Sequence, residues 1–160
     1  MAEDEGRLFA VIRIRGKVGI NPKIEAALQA LNLHRANHGA VLERNPSLEG
    51  SLQKVKDYVT WGEIPKDALS LLLRKRGRLG GGARLTDAFA KERLNCESVE
   101  DLADKVWTGG VRLSEISGLD RVFRLHPPRG GFRRSKKRPY PDGELGYRSS
   151  SIGDLVRRMA

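Results

Sequence analysis
The chain has 160 residues, with 30 Lys or Arg against 20 Asp or Glu, a net charge of +10 and an isoelectric point near 10.2. Hydrophobic residues make up 39%, enough for a modest core in one domain, or in a compact domain with a long extension. A single cysteine, Cys96, excludes an intramolecular disulfide and a Cys-rich zinc site, and the longest apolar run, Leu69 to Leu73, is far too short to span a membrane.

The chain opens on Glu3, Asp4 and Glu5, the opposite of a secretory leader's basic start, so a soluble cytoplasmic protein is expected. Leu8 to Arg15 ends in alternation, with Val11, Arg13 and Arg15 on one side and Ile12 and Ile14 on the other. This predicts a half-buried strand with a basic outer face. Gly16 to Ile20 turns the chain, and Asn21-Pro22 caps a helix running to Leu31. Ala40 to Arg44 reads as a second strand that Asn45-Pro46 stops. Ser47 then caps a helix whose stripe is Leu48, Leu52, Val55 and Val59. Tyr58 to Ile64, rich in β-branched and aromatic residues, predicts a third strand. The order β-α-β-α-β places both helices on one face of a small sheet. Right-handed crossovers follow if the first two strands are parallel, and a split arrangement is the alternative.

From Pro65 the character changes. A helix ends in Arg74, Lys75 and Arg76 before Gly77, which suits a helix C-terminus. Arg78 to Arg84 is a glycine-rich hinge. Thr86 and Ser98 cap short helices to Glu92 and Val106, and a further short helix or turn follows near Leu113 to Ile116. Val122 to Leu125 adds a strand, and Ile152 to Met159 a terminal helix.

Between Arg121 and Pro141 the chain carries eight Lys or Arg and no Asp or Glu. Such a run repels itself until a polyanion neutralises it, and its prolines and glycines break regular structure over most of its length. Three basic clusters stand out: Arg13, Arg15, Lys17 and Lys23; Arg74, Lys75, Arg76, Arg78 and Arg84; and Arg124 to Arg138. Arginine grips phosphate through two donors, and glycines at Gly80 to Gly82, Gly130 and Gly131 let a backbone approach closely. Phe132 and Tyr140 are placed to stack on unpaired bases. The inferred partner is nucleic acid.

Other chemistry finds little support. The glycines match neither phosphate-binding fingerprint. His34 and His38 lie four apart but lack a third ligand at useful spacing. Glu100, Asp101 and Asp104 are explained by a helix N-terminus, and Trp61 and Trp107 as packing residues.

The run from Leu8 to Ile64 resembles the core module of the large-subunit ribosomal protein L-thirty family, most closely in AVIRIRG, LQALNLHRANHGAVLERN and YVTWGEI. Beyond it, KRGRLGG, FRLHPPRGGFRRSKKRPY and GELGYR resemble the long archaeal and eukaryotic form, whose eukaryotic counterpart is named L-seven; the short bacterial form lacks them. MAEDEG in place of a long basic arm favours the archaeal type. The resemblance implies an α+β fold: a ferredoxin-like β-α-β-α-β module over residues 8–64, then an extension of helices and basic loops over residues 65–160. It implies assembly into the large subunit in the cytoplasm, with ribosomal RNA and neighbouring large-subunit proteins as partners. It implies no enzymatic activity, cofactor, metal, membrane or small-molecule substrate. The RNA contacts implied by position and charge are Arg13, Arg15, Lys17, Asn21 and Lys23 in the strand-helix turn, and His34, Arg35 and His38 in the next loop. Arg74, Arg76, Arg78 and Arg84 follow, and then Arg124, His126, Arg129, Arg133, Arg134, Lys136, Lys137 and Arg138.

The competing reading is a DNA-binding regulator, because short helices between Thr86 and Ile116 imitate a helix-turn-helix. Trp107-Thr108-Gly109-Gly110 is a poor turn for that motif, and the basic residues lie outside its second helix. An RNA-modifying enzyme would need a cofactor fingerprint or a clustered acid/base set, and neither is present in the sequence.

Overall fold
A computed structural model describes residues 8–79, 82–113, 116, 118–133 and 135–160. Strand β1 (Leu8–Arg13) leads to helix α1 (Pro22–Ala30), β2 (His38–Glu43), α2 (Pro46–Val55) and β3 (Val59–Glu63). Asn21 caps α1, accepting from the Lys23 N–H at 2.9 Å, with Pro22 at the first helical position. The cap of α2 lies two residues before the expected Ser47. It is Asn45, accepting from the Leu48 N–H at 2.8 Å, because Pro46 is already set for the first turn.

This is the ferredoxin-like β-α-β-α-β module, in strand order β2-β1-β3 with both outer strands antiparallel to β1. The parallel crossover considered from sequence therefore does not arise. Phe9 and Val11 on β1, with Val59 and Trp61 on β3, face Leu28 of α1 and Leu52 and Val55 of α2, so both helices cover one face.

The rest of the chain builds on the same sheet. Helices α3 (Lys66–Arg76), α4 (Asp87–Leu94) and α5 (Val99–Thr108) come in succession, followed by strands β4 (Phe123–Arg124), β5 (Ser135–Pro139) and β6 (Gly143–Tyr147) and the terminal helix α6 (Ile152–Met159). The completed sheet runs β4-β2-β1-β3-β6-β5, with β6 parallel to β3. Thr86 and Ser98 cap α4 and α5 as expected, through the Phe89 and Asp101 N–H groups. The Leu113 to Ile116 turn includes Ser114 and Glu115, and the glycine hinge includes Gly80 and Gly81; those four lie outside the described residues.

Leu8, Ala10 and Ile12 pack against Leu69, Leu73, Leu102 and Leu155, so the second face is covered by α3, α5 and α6. Every residue of β1 is buried. The expectation of a half-buried strand with a basic outer face is therefore corrected: β1 is a central strand in a helix-sheet-helix sandwich.

A buried ionic network ties β6 to β3. Arg148 donates to Glu144 Oε2 at 2.8 Å and to Thr60 Oγ1 at 2.8 Å, while Thr60 Oγ1 donates to the Gly146 carbonyl at 2.8 Å. Gly62 sits against the Ser149 backbone, and a Cβ there would lie 1.9 Å from the Ser149 carbonyl oxygen, so only glycine fits.

Candidate nucleic-acid interface
The strand directions collect basic residues at one end of the sheet. There β1 ends at Arg13, β2 begins at His38, and Arg124 of β4 lies opposite His38. Helix α3 finishes at the same end with Arg74, Lys75 and Arg76, and α6 with Arg158, while the Arg157 guanidinium reaches back to Asp67 and Asp154 at the other end.

The first patch joins the β1–α1 turn to the loop before β2. Lys17 and Lys23 are exposed, and Val18 between them is 99% exposed at the tip, beside Gly19 at φ +70°. Arg15 is half-buried, its guanidinium 4.9 Å from the centre of the Tyr58 ring and 3.3 Å from the Asp57 carbonyl. Asn21 is exposed, with its side-chain oxygen committed to the helix cap.

Arg13 is a correction. Its side chain is fully buried, donating to the Leu33 carbonyl at 2.8 Å, the Arg15 carbonyl at 2.9 Å and Glu25 Oε2 at 3.1 Å. The alternation was legible, but that side of β1 faces α1 and not solvent. Burial would raise the Glu25 carboxyl; hydrogen bonds from Arg13 and Gln29, with the charges of Arg13 and Lys17, outweigh it and hold Glu25 below its usual range. Arg13 therefore positions the turn from within.

His34 and Arg35 are exposed, and His38 is half-buried with its Nδ1 buried and unpaired. Burial, followed by the charges of Arg124, His34, Arg35 and Arg13, keeps His38 below the usual imidazole range. Arg124 is exposed and donates to Asp120 at 3.1 Å.

The second patch is an open recess of about 460 Å³ lined by Lys75, Arg76, Arg78, Arg84, His126 and Arg129, with Ala160 at its floor. It unites two clusters that lie some forty residues apart in sequence. Helix α6 seats the loop that closes it. The His126 N–H donates to the Met159 carbonyl at 3.1 Å, and His126 Nε2 lies 2.9 Å from the Ala160 oxygen. The Arg158 guanidinium donates to the Arg129 carbonyl at 3.0 Å and to the Gly131 carbonyl. Arg158 was not singled out from sequence, and its positioning role leaves no local signal beyond a basic last turn. Lys75, a member of the second basic cluster that is not among the implied RNA contacts, also lines the recess.

Arg74 is exposed but turned away from this recess, paired with Glu100 and with Asp87 at 3.3 Å. The hydrogen bond from Arg74 holds the Glu100 carboxyl below its usual range. This residue clamps α3 to α4 and α5.

Residues 124–129 run from the first patch to the second, since the Leu125 N–H donates to the Asn37 carbonyl while His126 and Arg129 reach α6. The basic run then crosses to the far edge of the sheet. There β5 exposes Lys136, Lys137 and Arg138, with Arg133 exposed just before it, and Arg134 lies outside the described residues. Phe132 and Tyr140 are packing residues, which corrects their reading as stacking platforms. Phe132 lies against the core under Lys136, and Tyr140 is half-buried below the Arg148 guanidinium at 5.3 Å. Trp61 is buried and Trp107 half-buried, donating to the Ile64 carbonyl at 3.3 Å.

Residues 9–59 match the family described as ribosomal protein L30p/L7e. The chain is 46% identical to large ribosomal subunit protein uL30 of Hyperthermus butylicus, over 96% of this chain and 90% of that one. It is 46% identical to the protein of the same name from Staphylothermus marinus, over 95% and 98%. For that of Methanosphaera stadtmanae the identity is 45%, over 95% and 99%. With a match of this length at both ends, the chain belongs to the L30p/L7e family of ribosomal proteins.

Proposed function
We propose that this chain is a structural, non-enzymatic constituent of the large ribosomal subunit, held in the cytoplasmic ribosome by binding large-subunit RNA and flanked by neighbouring large-subunit proteins. The observation that carries the reading is the joining of two basic patches by residues 124–129 at one end of a rigid sheet. In this reading Lys17, Lys23, His34 and Arg35 meet one stretch of phosphates, with Arg15 and His38 behind them. Lys75, Arg76, Arg78, Arg84, Arg124 and Arg129 meet a second, and Arg133, Lys136, Lys137 and Arg138 a third at the far edge. Residues 8–64 supply the seating module, and residues 65–160 buttress its second face and carry most of the cations. Recognition is of backbone and shape, as suits folded RNA.

The DNA-regulator reading is disfavoured by α5, the helix that would enter a groove. Its Val99, Leu102, Ala103 and Val106 are buried in the core, and it shows Glu100, Asp101 and Asp104 outward. Those carboxylates would meet DNA phosphates. Electrophoretic titration at one salt concentration tests the choice. A folded fragment of large-subunit RNA is expected to bind at least about tenfold more tightly than duplex DNA of equal length, because only its shape matches the patches. Equal affinity for both would sink the reading.

A further inference from the structure
The end of the sheet opposite the basic patches has a different chemistry. There β1 begins, β2 and β3 end, β6 ends, and α3 and α6 start. Two adjoining recesses, of about 720 and 540 Å³, share Arg44 and Tyr147 and form one groove across this end. Its walls are aromatic: Phe9 and Trp61 on one side, Trp107 on the other, and Tyr147, 48% exposed, between them. Arg44 lies 5.4 Å from the centre of the Phe9 ring, and the Phe9 and Trp61 rings each lie 6.4 Å from that of Tyr147.

The charge here runs against the rest of the chain. Arg44 is 2.8 Å from Glu49 and 3.8 Å from Glu63, and Lys66 is 3.0 Å from Asp104, so three carboxylates meet two cations. Tyr147 donates its hydroxyl to Glu63, which leaves the ring face open. In a chain of net charge +10 this groove has no surplus cation to offer phosphate, so RNA is a poor occupant. Exposed Tyr147 and Arg44, set over the buried Phe9 and Trp61 and beside the half-buried Trp107, give the cleft the composition of protein contact surfaces. Carboxylates beside the exposed Tyr147 ring favour a cation, through ion pairing and cation–π contact.

We propose that this groove docks an extended Lys- or Arg-bearing segment of a neighbouring protein, so that the chain bridges RNA at one end and protein at the other. Aromatic walls would hold the apolar parts of the segment, and Glu49 and Glu63 would receive its cations.

A photo-crosslinking amino acid placed at Gln53, an exposed residue on the groove wall, tests this in the full chain assembled into purified large subunits. The same label at Lys137 serves as the comparison. The expected result is a Gln53 crosslink to a protein peptide containing Lys or Arg, and a Lys137 crosslink to RNA. A Gln53 crosslink to RNA or to an acidic peptide, or no crosslink, would overturn the proposal. In addition, Glu49→Lys with Glu63→Lys should cut retention of the chain in salt-washed subunits by about tenfold, while affinity for isolated RNA is unchanged or higher. Should that pair fail to fold by thermal melting, Gln53→Arg, which leaves Glu63 and Tyr147 intact, is expected to reduce retention in the same direction. Normal retention of a folded variant would count against the groove.

Discussion

Replacing Lys75, Arg84 and Arg129 together by Gln should weaken binding to large-subunit RNA by on the order of a hundredfold or more at moderate salt. The slope of log affinity against log salt should fall by about two to three, since each lost phosphate contact retains its counterion. All three side chains are exposed around one recess, so their removal leaves the core untouched. The matched control is Lys91, Arg93 and Arg112, which are also exposed but outside the basic patches. Changing these to Gln removes the same net charge, and only a small loss is expected. Equal losses from the two triple variants would mean that net charge alone, and not the recess, binds RNA.

Arg13→Met should act on the other side of the ledger, destabilising the fold by about 3 kcal/mol. The guanidinium is wholly buried, and its removal strands the Leu33 carbonyl and leaves Glu25 without its close partner. Lys17→Gln and Lys23→Gln, a few residues away, should change stability by less than about 0.5 kcal/mol and should weaken RNA binding. Urea unfolding and RNA titration of the same variants separate the two roles. If Arg13→Met kept its stability and lost RNA affinity, Arg13 would be a contact after all, and the burial argument would fail.

Arg13 also marks the limit of what the sequence discloses. Alternation placed it correctly on the Val11 side of the strand, because period two follows from the backbone alone. Which side faces water depends on what covers the sheet, and here helices on both faces cover it, three of them from beyond residue 65. The first five elements were legible because each carries a local signal: alternation or β-branched residues in the strands, Asn21-Pro22 at the first helix start, and the Leu48, Leu52, Val55 stripe in the second helix. In sequence the Asn45 cap of that helix marks only the end of the strand. Strand β6 was not. Its five residues include two glycines, and it is fixed by the Arg148–Glu144–Thr60 network, whose members lie up to 88 residues apart. The clusters of basic residues were readable one by one, since charge is a local property. Their convergence was not, because it depends on α6 returning to hold residues 126–131 beside the end of α3. Arg74 shows the same limit in reverse, as a cation in the right cluster whose charge is met by Glu100 and Asp87.

The central claim is that the chain is held in the large ribosomal subunit, and sucrose-gradient sedimentation of native extract tests it most directly. Fractions probed for this chain at low and at moderately raised salt should place it with the large subunit in both. A chain that stays near the top of the gradient at low salt would contradict the account.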